Sequence, residues 1–209
     1  MSNISEQPAT AELGLAFDEI GLIKQIQAGR MALFGDLIAR FQDRLYNLAY
    51  RLTSNPEDAS DLSQETLTRA FKSIGQFRGN SRFYTWLVRI MINITNDWKT
   101  KAKRDRDLRN QMQTLLEHSQ AAEVTKLSDP QHQAQSQEMI DLLWQAIDRM
   151  DLPQKQVLLL RDLEQLSYDE IAHILKLTEG TVKSRLFRAR ESLRELLAPL
   201  LNPKPGDGK

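Results

Sequence analysis

Residues 168–187 read YDEIAHILKLTEGTVKSRLF, and this stretch decides the fold of the second half of the chain. Two short helices that meet at a tight turn need a small residue where they cross, here Ala172. They also need an apolar residue in the second helix to fix the crossing angle, here Val182. The remaining wedge would be filled by Ile171, Leu175 and Leu186. The spacing therefore predicts a helix-turn-helix.

The ends of the first of these two helices carry their own signals. Ser167 and Glu170 have the three-residue spacing of a capping box, in which each side chain satisfies a free backbone N–H of the other residue. Lys176 stands at the turn position usually held by glycine, where φ is often positive. We expect about 1 kcal/mol of strain there and no loss of the motif.

The second helix directs polar and basic side chains outward, together with one aromatic ring: Lys183, Ser184, Arg185, Phe187, Arg188 and Arg190. Arginine can bond a guanine edge in a two-pronged geometry, and lysine and serine can hold phosphates. The pattern favours duplex DNA binding. The alternative is a three-helix core with a solvated basic face.

Apolar spacing predicts helices in the rest of the chain, with no convincing strand. In the first half, Gly29 would end a short helix over 20–26, one helix would run over 33–54, and Asn55-Pro56 would cap a third helix that reaches Gly75. A loop over 75–82 then precedes a fourth helix. The remaining predicted helices span 83–104, 135–150, 153–163, 168–175 and 179–197.

These elements predict an all-α protein of two small helical domains joined by a flexible linker. The linker is glutamine-rich and poor in aromatic residues, so it cannot bury enough apolar surface to offset its ordering entropy. We expect a frayed tail after Pro199. The predicted divisions are a disordered extension 1–17, a first domain 18–106, a linker 107–134, a second domain 135–198 and a tail 199–209.

Composition excludes several classes of function. The 209 residues include no cysteine and three histidines, none of them spaced for a helical metal pair, so disulfides, thiolate catalysis and cysteine-bound zinc are ruled out. No stretch approaches the roughly 20 apolar residues of a membrane span, and residues 1–17 do not resemble a signal peptide. We expect a cytoplasmic protein with no metal, no cofactor and no membrane insertion.

The chain has 28 basic and 28 acidic residues, but these charges are unevenly distributed, with one acidic and two basic segments. Residues 54–66 carry four acidic and no basic side chains, whereas 82–106 carry seven basic against two acidic, and 176–194 six against two. Opposite charges on separate segments predict at least two kinds of partner.

Aromatic residues lie in or beside the first basic segment: Phe77, Phe83, Tyr84, Trp86 and Trp98. Rings interleaved with arginine and lysine suit unstacked bases better than an intact duplex. We expect Phe77, Trp86 and Ile90 to lie in the core, whereas the loop 78–81 has no obvious packing role.

The acidic segment admits two interpretations. Asp58, Asp61 and Glu65 share one helix face by their spacing. A metal-dependent nuclease could use such carboxylates, but a single row without a histidine partner is more typical of a surface that docks a basic protein.

The order of these elements resembles the extracytoplasmic-function sigma factors, the group IV initiation subunits of bacterial RNA polymerase. Four blocks carry the resemblance, from about 18 to 197: FGDLIARFQDRLYNLAYRL, NPEDASDLSQETLTRAF, FRGNSRFYTWLVRIMINITNDW and LSYDEIAHILKLTEGTVKSRLFRARESLR. The two domains would then be sigma regions 2 and 4. The extension 1–17 exceeds the family pattern.

The resemblance implies roles for individual residues. The surface that docks on the clamp helices of the largest polymerase subunit would comprise Asp58, Asp61, Leu62, Gln64 and Glu65. The minus-10 element would be captured as flipped-out bases by Arg78, Asn80, Ser81 and Phe83, with Arg89 and Asn93 on the adjacent helix. The minus-35 duplex would be read by Lys183, Ser184, Phe187 and Arg188.

The resemblance further implies core RNA polymerase, through its clamp helices and flap, promoter DNA and an anti-sigma factor as partners, with no catalytic residue. Two weak DNA-binding modules on a linker would gain affinity once polymerase fixes both. A regulator that binds operators without polymerase is the rival interpretation, but it leaves the acidic segment and the aromatic loop without a purpose.

Overall fold

The computed structural model describes residues 18–113 and 134–201, and within those ranges all regular structure is helical. The helices of the N-terminal domain are α1 (Glu19–Gln27), α2 (Phe34–Ala39), α3 (Gln42–Thr53), α4 (Pro56–Ser73) and α5 (Phe83–Gln113). Those of the C-terminal domain are α6 (Ala134–Asp148), α7 (Leu152–Leu158), α8 (Tyr168–Leu175) and α9 (Glu179–Leu201). The all-α prediction is confirmed for the described residues.

Local signals set the helix ends in the N-terminal domain. Asn55 has extended backbone angles, and its side chain accepts hydrogen bonds from the N–H groups of Glu57 and Asp58 at 2.8 and 3.1 Å. Pro56 follows at the first helical position, as predicted. Gly29 takes a φ of +102° after α1, which also agrees with the prediction.

The single helix predicted over 33–54 is wrong. The chain makes a 3₁₀ turn (Met31–Leu33), then α2, and breaks at Arg40 and Phe41 before α3 begins. The Phe41 N–H bonds Ile38 O at 2.8 Å, a tighter turn than an α-helix makes, and the Phe41 ring stacks at 5.9 Å from Tyr84. Aromatic packing against α5 overrides the helical periodicity at this point.

The N-terminal core is built around α4, which packs against both α3 and α5. Fully buried residues include Leu45, Leu48, Leu62, Leu87 and Met91. The helix α5 continues to Gln113, beyond the end predicted at 104, so the predicted linker is helical over its first residues, 107–113. The rest of that linker, the extension 1–17 and the tail beyond 201 lie outside the described residues.

In the C-terminal domain, α9 packs across α6, α7 and α8. The predicted helix over 153–163 begins as an α-helix and continues as a π-helical turn (Leu159–Leu163), in which the Glu164 N–H bonds Leu159 O at 2.9 Å. A wider turn of this kind often marks a functional position. Sequence periodicity gave no sign of it, and Glu164 directly after it is buried.

Candidate functional site

The helix-turn-helix forms as the sequence predicted. The Glu170 N–H donates to Ser167 Oγ at 3.2 Å, and the Ser167 N–H donates to Glu170 Oε2 at 2.9 Å, which completes the capping box. Lys176 closes α8 with a φ of +56°, the left-handed conformation expected at that turn. Ala172 and Val182 are both buried where α8 meets α9.

The exposed face of α9 presents Lys183, Ser184, Phe187 and Arg188, hereafter the helix surface. Phe187 is 68% exposed, so its ring is accessible to an outside contact. Arg188 and Ser184 line an open groove of about 260 Å³ that continues to Asp151. All four residues lie near one another in the first half of α9.

Two other basic residues of α9 are held within the domain. Arg190 donates to both carboxylate oxygens of Asp162, at 2.6 and 3.2 Å, and this hydrogen bonding raises its pKa. Arg194 pairs with Glu191 one turn away. Lys183 also pairs with Glu179 at 3.4 Å, so the cations of α9 without a described ion pair are Arg185 and Arg188, both in its N-terminal half.

Six residues were predicted to lie at the minus-10 site, and four of them line one cavity at the surface. Arg78 and Asn80 are exposed and Ser81 half-buried in the loop before α5, and Arg89 follows on the helix; with Asn93 we call these five residues the loop surface. Arg78, Asn80, Ser81 and Arg89 line a cavity of about 390 Å³. Asn93 lines the next groove along α5, together with Arg89.

The assignment of Phe83 to base capture is corrected. Phe83 is fully buried, with its ring 5.4 Å from Phe77, 5.5 Å from Trp86 and 5.7 Å from Phe41. Tyr84 and Trp86 are buried as well, so the aromatic residues of this segment are mainly core and support the loop from beneath. The prediction that Trp86 lies in the core is confirmed.

Sequence reasoning missed a residue that anchors this loop. Gln27, the last residue of α1, donates its amide to Ile74 O at 2.9 Å and to Phe77 O at 2.8 Å. These bonds tie the start of the loop to the first helix. A lone glutamine gives no sequence signal for this role, because only the fold brings α1 beside residue 77.

The acidic segment lies along α4. Asp58, Asp61 and Gln64 are exposed and Glu65 is half-exposed, and these four form the acidic surface. Glu65 accepts from Arg69 Nε at 2.7 Å, and this hydrogen bond raises the pKa of Arg69. Asp58 and Asp61 have no basic partner of this kind, so they provide the free negative charge of the surface.

Leu62 does not belong to that surface, which corrects the prediction. It is fully buried between the helices of the N-terminal domain. Its position on α4, one residue after Asp61, turns it about 100° away from the exposed face. Leu62 can act on the surface only by holding α4 in place.

Metal binding by the acidic row finds no support. No group of three or more histidine, cysteine, aspartate or glutamate side chains within 18–113 and 134–201 is arranged to hold a metal ion. In the same ranges, no helix has the length and apolar character needed to cross a membrane.

Both halves of the chain match family models. Residues 37–105 match sigma-70 region 2, and residues 140–193 match sigma-70 region 4. The chain is 33% identical over 183 residues to the RNA polymerase sigma-H factor of Pseudomonas aeruginosa, covering 86% of this chain and 94% of that protein. It is 35% identical over 181 residues to the ECF RNA polymerase sigma factor SigW of Bacillus subtilis, covering 85% and 96%.

Solved structures show the same fold. The sigma factor RpoE of Bartonella quintana, solved with the anti-sigma factor NepR, aligns with a TM-score of 0.58 and 26% identity over 78% of this chain and 96% of that one. CnrH, solved with the cytosolic domain of CnrY, aligns with a TM-score of 0.59 and 23% identity over 86% and 96%. The chain belongs to the sigma-70 family of transcription initiation factors, in its extracytoplasmic-function (ECF) group.

Proposed function

We propose that this sigma factor directs core RNA polymerase to promoters through three separate surfaces: the acidic surface docks on polymerase, the loop surface captures the minus-10 element, and the helix surface reads the minus-35 element. One observation carries the proposal. A single chain places exposed acidic side chains without a described basic partner on α4, and exposed basic side chains in the loop before α5 and on α9, whereas a regulator that binds only DNA has no use for the acidic side chains.

The helix surface suits duplex DNA. A helix fits the major groove, and Arg188 can make a two-pronged bond to a guanine there while Lys183 and Ser184 hold phosphates. Phe187 can make an apolar contact with the methyl group of a thymine. Its 68% exposure in the free chain supports that role.

The loop surface suits an unstacked base. Arg78, Asn80 and Ser81 bring a cation, an amide and a hydroxyl to the rim of one cavity, and the buried Phe83 holds the loop from below. Capture of a base that has left the stack shifts the melting equilibrium toward the open duplex without hydrolysis. We infer that the chain works by binding alone.

The acidic surface suits a basic protein partner. Asp58 and Asp61 have no described basic neighbour, so their charge is available to the clamp helices of the largest polymerase subunit. Charge complementarity of this kind governs encounter rate and orientation more than total affinity. The flap of polymerase would hold the C-terminal domain near the minus-35 element.

We assign sigma region 2 to residues 18–106 and sigma region 4 to 135–198, with 107–134 as the connection between them. An anti-sigma factor is the expected regulator, and the complex of Bartonella quintana RpoE with NepR supports this expectation. Because core RNA polymerase and the chromosome both lie in the bacterial cytoplasm, the protein would act there.

Run-off transcription tests the proposal. Fragmented genomic DNA of the host is transcribed by bacterial core RNA polymerase with and without the protein. Transcripts with common upstream elements should appear only when the protein is present. Specific DNA binding by the protein alone, without any polymerase complex, would instead support an operator-binding regulator.

A further inference from the structure

The loop before α5 is held at its first residue from two sides. The ring of Phe77 packs inward, with its centroid 5.4 Å from the ring centroids of both Phe83 and Trp86. The carbonyl oxygen of Phe77 accepts a hydrogen bond from the side-chain amide of Gln27 at 2.8 Å. Aromatic packing therefore fixes the side chain of Phe77, and α1 fixes its backbone.

The amide of Gln27 uses both of its N–H groups at this place. The second N–H donates to Ile74 O at 2.9 Å, and the same oxygen accepts the Phe77 N–H at 3.1 Å. An amide nitrogen has two hydrogens to donate, so its donors are fully used. Gln27 thus holds both the start and the exit of the 3₁₀ turn (Ile74–Gln76) that leads from α4 into the loop.

The helix that carries Gln27 is itself anchored in the core. Ile23 and Ile26 of α1 are 4% and 1% exposed. Gln27 directly follows Ile26, and the helix ends at once, because Gly29 takes a φ of +102°. The side chain of Gln27 therefore projects from a backbone that the buried isoleucines hold in place.

The middle of the loop has no comparable support. Gly79 has a φ of +74°, and no atom lies within 4 Å of the position that a side chain there would occupy. Glycine adopts more backbone conformations than other residues. Arg78 and Asn80, on either side of it, are exposed. The directions of these two side chains are therefore set at the ends of the loop, at residue 77 and at the start of α5.

Base recognition depends on such directions far more than phosphate binding does. Groups that recognise a ligand must be held within about 0.5 Å of their productive positions. Phosphate contacts carry no sequence information, and the attraction behind them acts over a Debye length of about 10 Å. A loop released at residue 77 would keep its positive charge, but it would no longer hold Arg78, Asn80 and Ser81 in one arrangement.

We propose that Gln27 is a positioning residue for minus-10 capture: it holds the loop surface in the arrangement that distinguishes a base from a bare sugar-phosphate backbone. The inference rests on the proposed role of the loop surface. It extends that site to α1, which precedes the residues 37–105 that match sigma-70 region 2. A role in folding alone is the alternative, and it predicts that loss of Gln27 weakens every activity of the domain equally.

Gln27→Met tests the role, because methionine has a similar length and no N–H donor. The matched control is Gln25→Met, the same substitution two residues earlier on α1, where Gln25 accepts from Arg30 at 2.9 Å. Both variants should bind core polymerase with wild-type affinity, since neither residue belongs to the acidic surface. A loss of polymerase affinity in Gln27→Met that equals its loss of DNA affinity would show general damage to the domain and overturn the proposal.

The assay uses the full chain bound to core polymerase and a forked promoter DNA, duplex upstream and single-stranded over the minus-10 element. The promoter is one that run-off transcription identifies. Fluorescence anisotropy compares intact DNA with DNA in which one minus-10 nucleotide at a time is abasic. The wild-type and Gln25→Met complexes should bind intact DNA about tenfold more tightly than DNA abasic at a captured position.

The Gln27→Met complex should lose most of this discrimination. We expect its affinity to fall about threefold to tenfold for intact DNA, as the loss of two hydrogen bonds allows, and by less than about twofold for abasic DNA. Equal losses on the two DNAs would support a role in folding alone and overturn the proposal.

This inference and the proposed function fail in different ways. If the wild-type complex binds intact and abasic DNA equally at every position, the loop surface captures no base, and the proposed function fails together with this inference. If the wild-type complex discriminates and the Gln27→Met complex discriminates equally well, base capture stands and Gln27 is not a positioning residue.

A second substitution separates hydrogen-bond donation from side-chain shape. Gln27→Glu keeps the shape, but near pH 7 it presents to two carbonyl oxygens a carboxylate that cannot donate. Its negative charge weakens the binding of intact and abasic DNA alike, so the ratio of the two affinities is the readout. That ratio should fall at least as far as in Gln27→Met. A wild-type ratio in Gln27→Glu would contradict the role of the two donated bonds.

Discussion

Arg44 on α3 donates to the buried carboxylate of Glu164, 120 residues later in the chain, at 2.8 Å. The same guanidinium lies 3.9 Å from the ring centroid of Tyr84. Burial, and then the negative charge of Glu164, raise the pKa of the Tyr84 hydroxyl. One arginine thus joins the aromatic core beneath the loop surface to the π-helical turn beside the helix-turn-helix.

Asp61→Lys should weaken binding to core polymerase, because it reverses a free charge on the acidic surface. We expect at least a tenfold rise in Kd at low salt, measured by fluorescence anisotropy with labelled protein. Asp36→Lys, an exposed charge reversal on α2 outside that surface, is the control. Equal affinity of the wild-type protein and Asp61→Lys would remove α4 from the docking surface.

Arg188→Ala should reduce initiation from promoters that depend on a minus-35 element by roughly 1 to 3 kcal/mol, the discrimination carried by a two-pronged base contact. Polymerase binding should not change. Arg194→Ala is the matched control on the same helix, because Arg194 is already paired with Glu191. An equal loss on promoters that lack the minus-35 element would contradict the assignment.

Leu62→Ala should lower the free energy of unfolding by about 2 to 5 kcal/mol, since it removes a fully buried side chain. Chemical denaturation measures the effect, and Leu62→Met should lose less than about 1.5 kcal/mol. Polymerase affinity of the folded fraction should stay at the wild-type value in both variants. A specific loss of affinity in folded Leu62→Met would place Leu62 in the docking contact after all.

Lys176→Gly should raise the free energy of unfolding by up to about 1 kcal/mol. The left-handed conformation at a φ of +56° is strained for lysine and not for glycine, although glycine also loses more entropy on folding. Lys176→Ala keeps the strain and is the control. Thermal unfolding of the three proteins at one pH decides the order, and a glycine variant less stable than the alanine variant would show that no strain is relieved.

The contribution of the Glu170 carboxylate to the free energy of unfolding should disappear in acid. Partial burial raises its pKa, but hydrogen bonds from Ser167 and Thr85 outweigh burial, so the folded-state pKa lies below the usual value. A lowered pKa stabilises the fold fully above the unfolded value, about 4.3, and the contribution is lost as pH falls through the folded value. Below that range, the stability difference between wild-type protein and Glu170→Gln should shrink. A difference that stays constant from pH 7 to pH 3 would contradict this.

The sequence by itself determined the features that rest on neighbours along the chain. Asn55-Pro56 sets the start of α4, Ser167 and Glu170 cap α8, and the spacing of Ala172 and Val182 sets the helix-turn-helix. Each depends on backbone groups within a few residues. The segregation of charged residues could also be predicted from the sequence, because a row of like charges on one helix is a local property.

Tertiary structure alone decided which side chains of the motif blocks are accessible. Leu62 stands among polar neighbours and Phe83 directly follows a polar loop, but both are fully buried, because α4 and α5 each turn one face to the core. The break at Phe41 depends on rings contributed by α5. The interdomain bonds of Arg44, Lys155 and Gln156 join residues 60 to 120 positions apart, and only the packing of the two domains brings them together. Long-range pairing of this kind leaves no periodic trace in a sequence, because any polar surface residue looks the same until its partner is placed beside it.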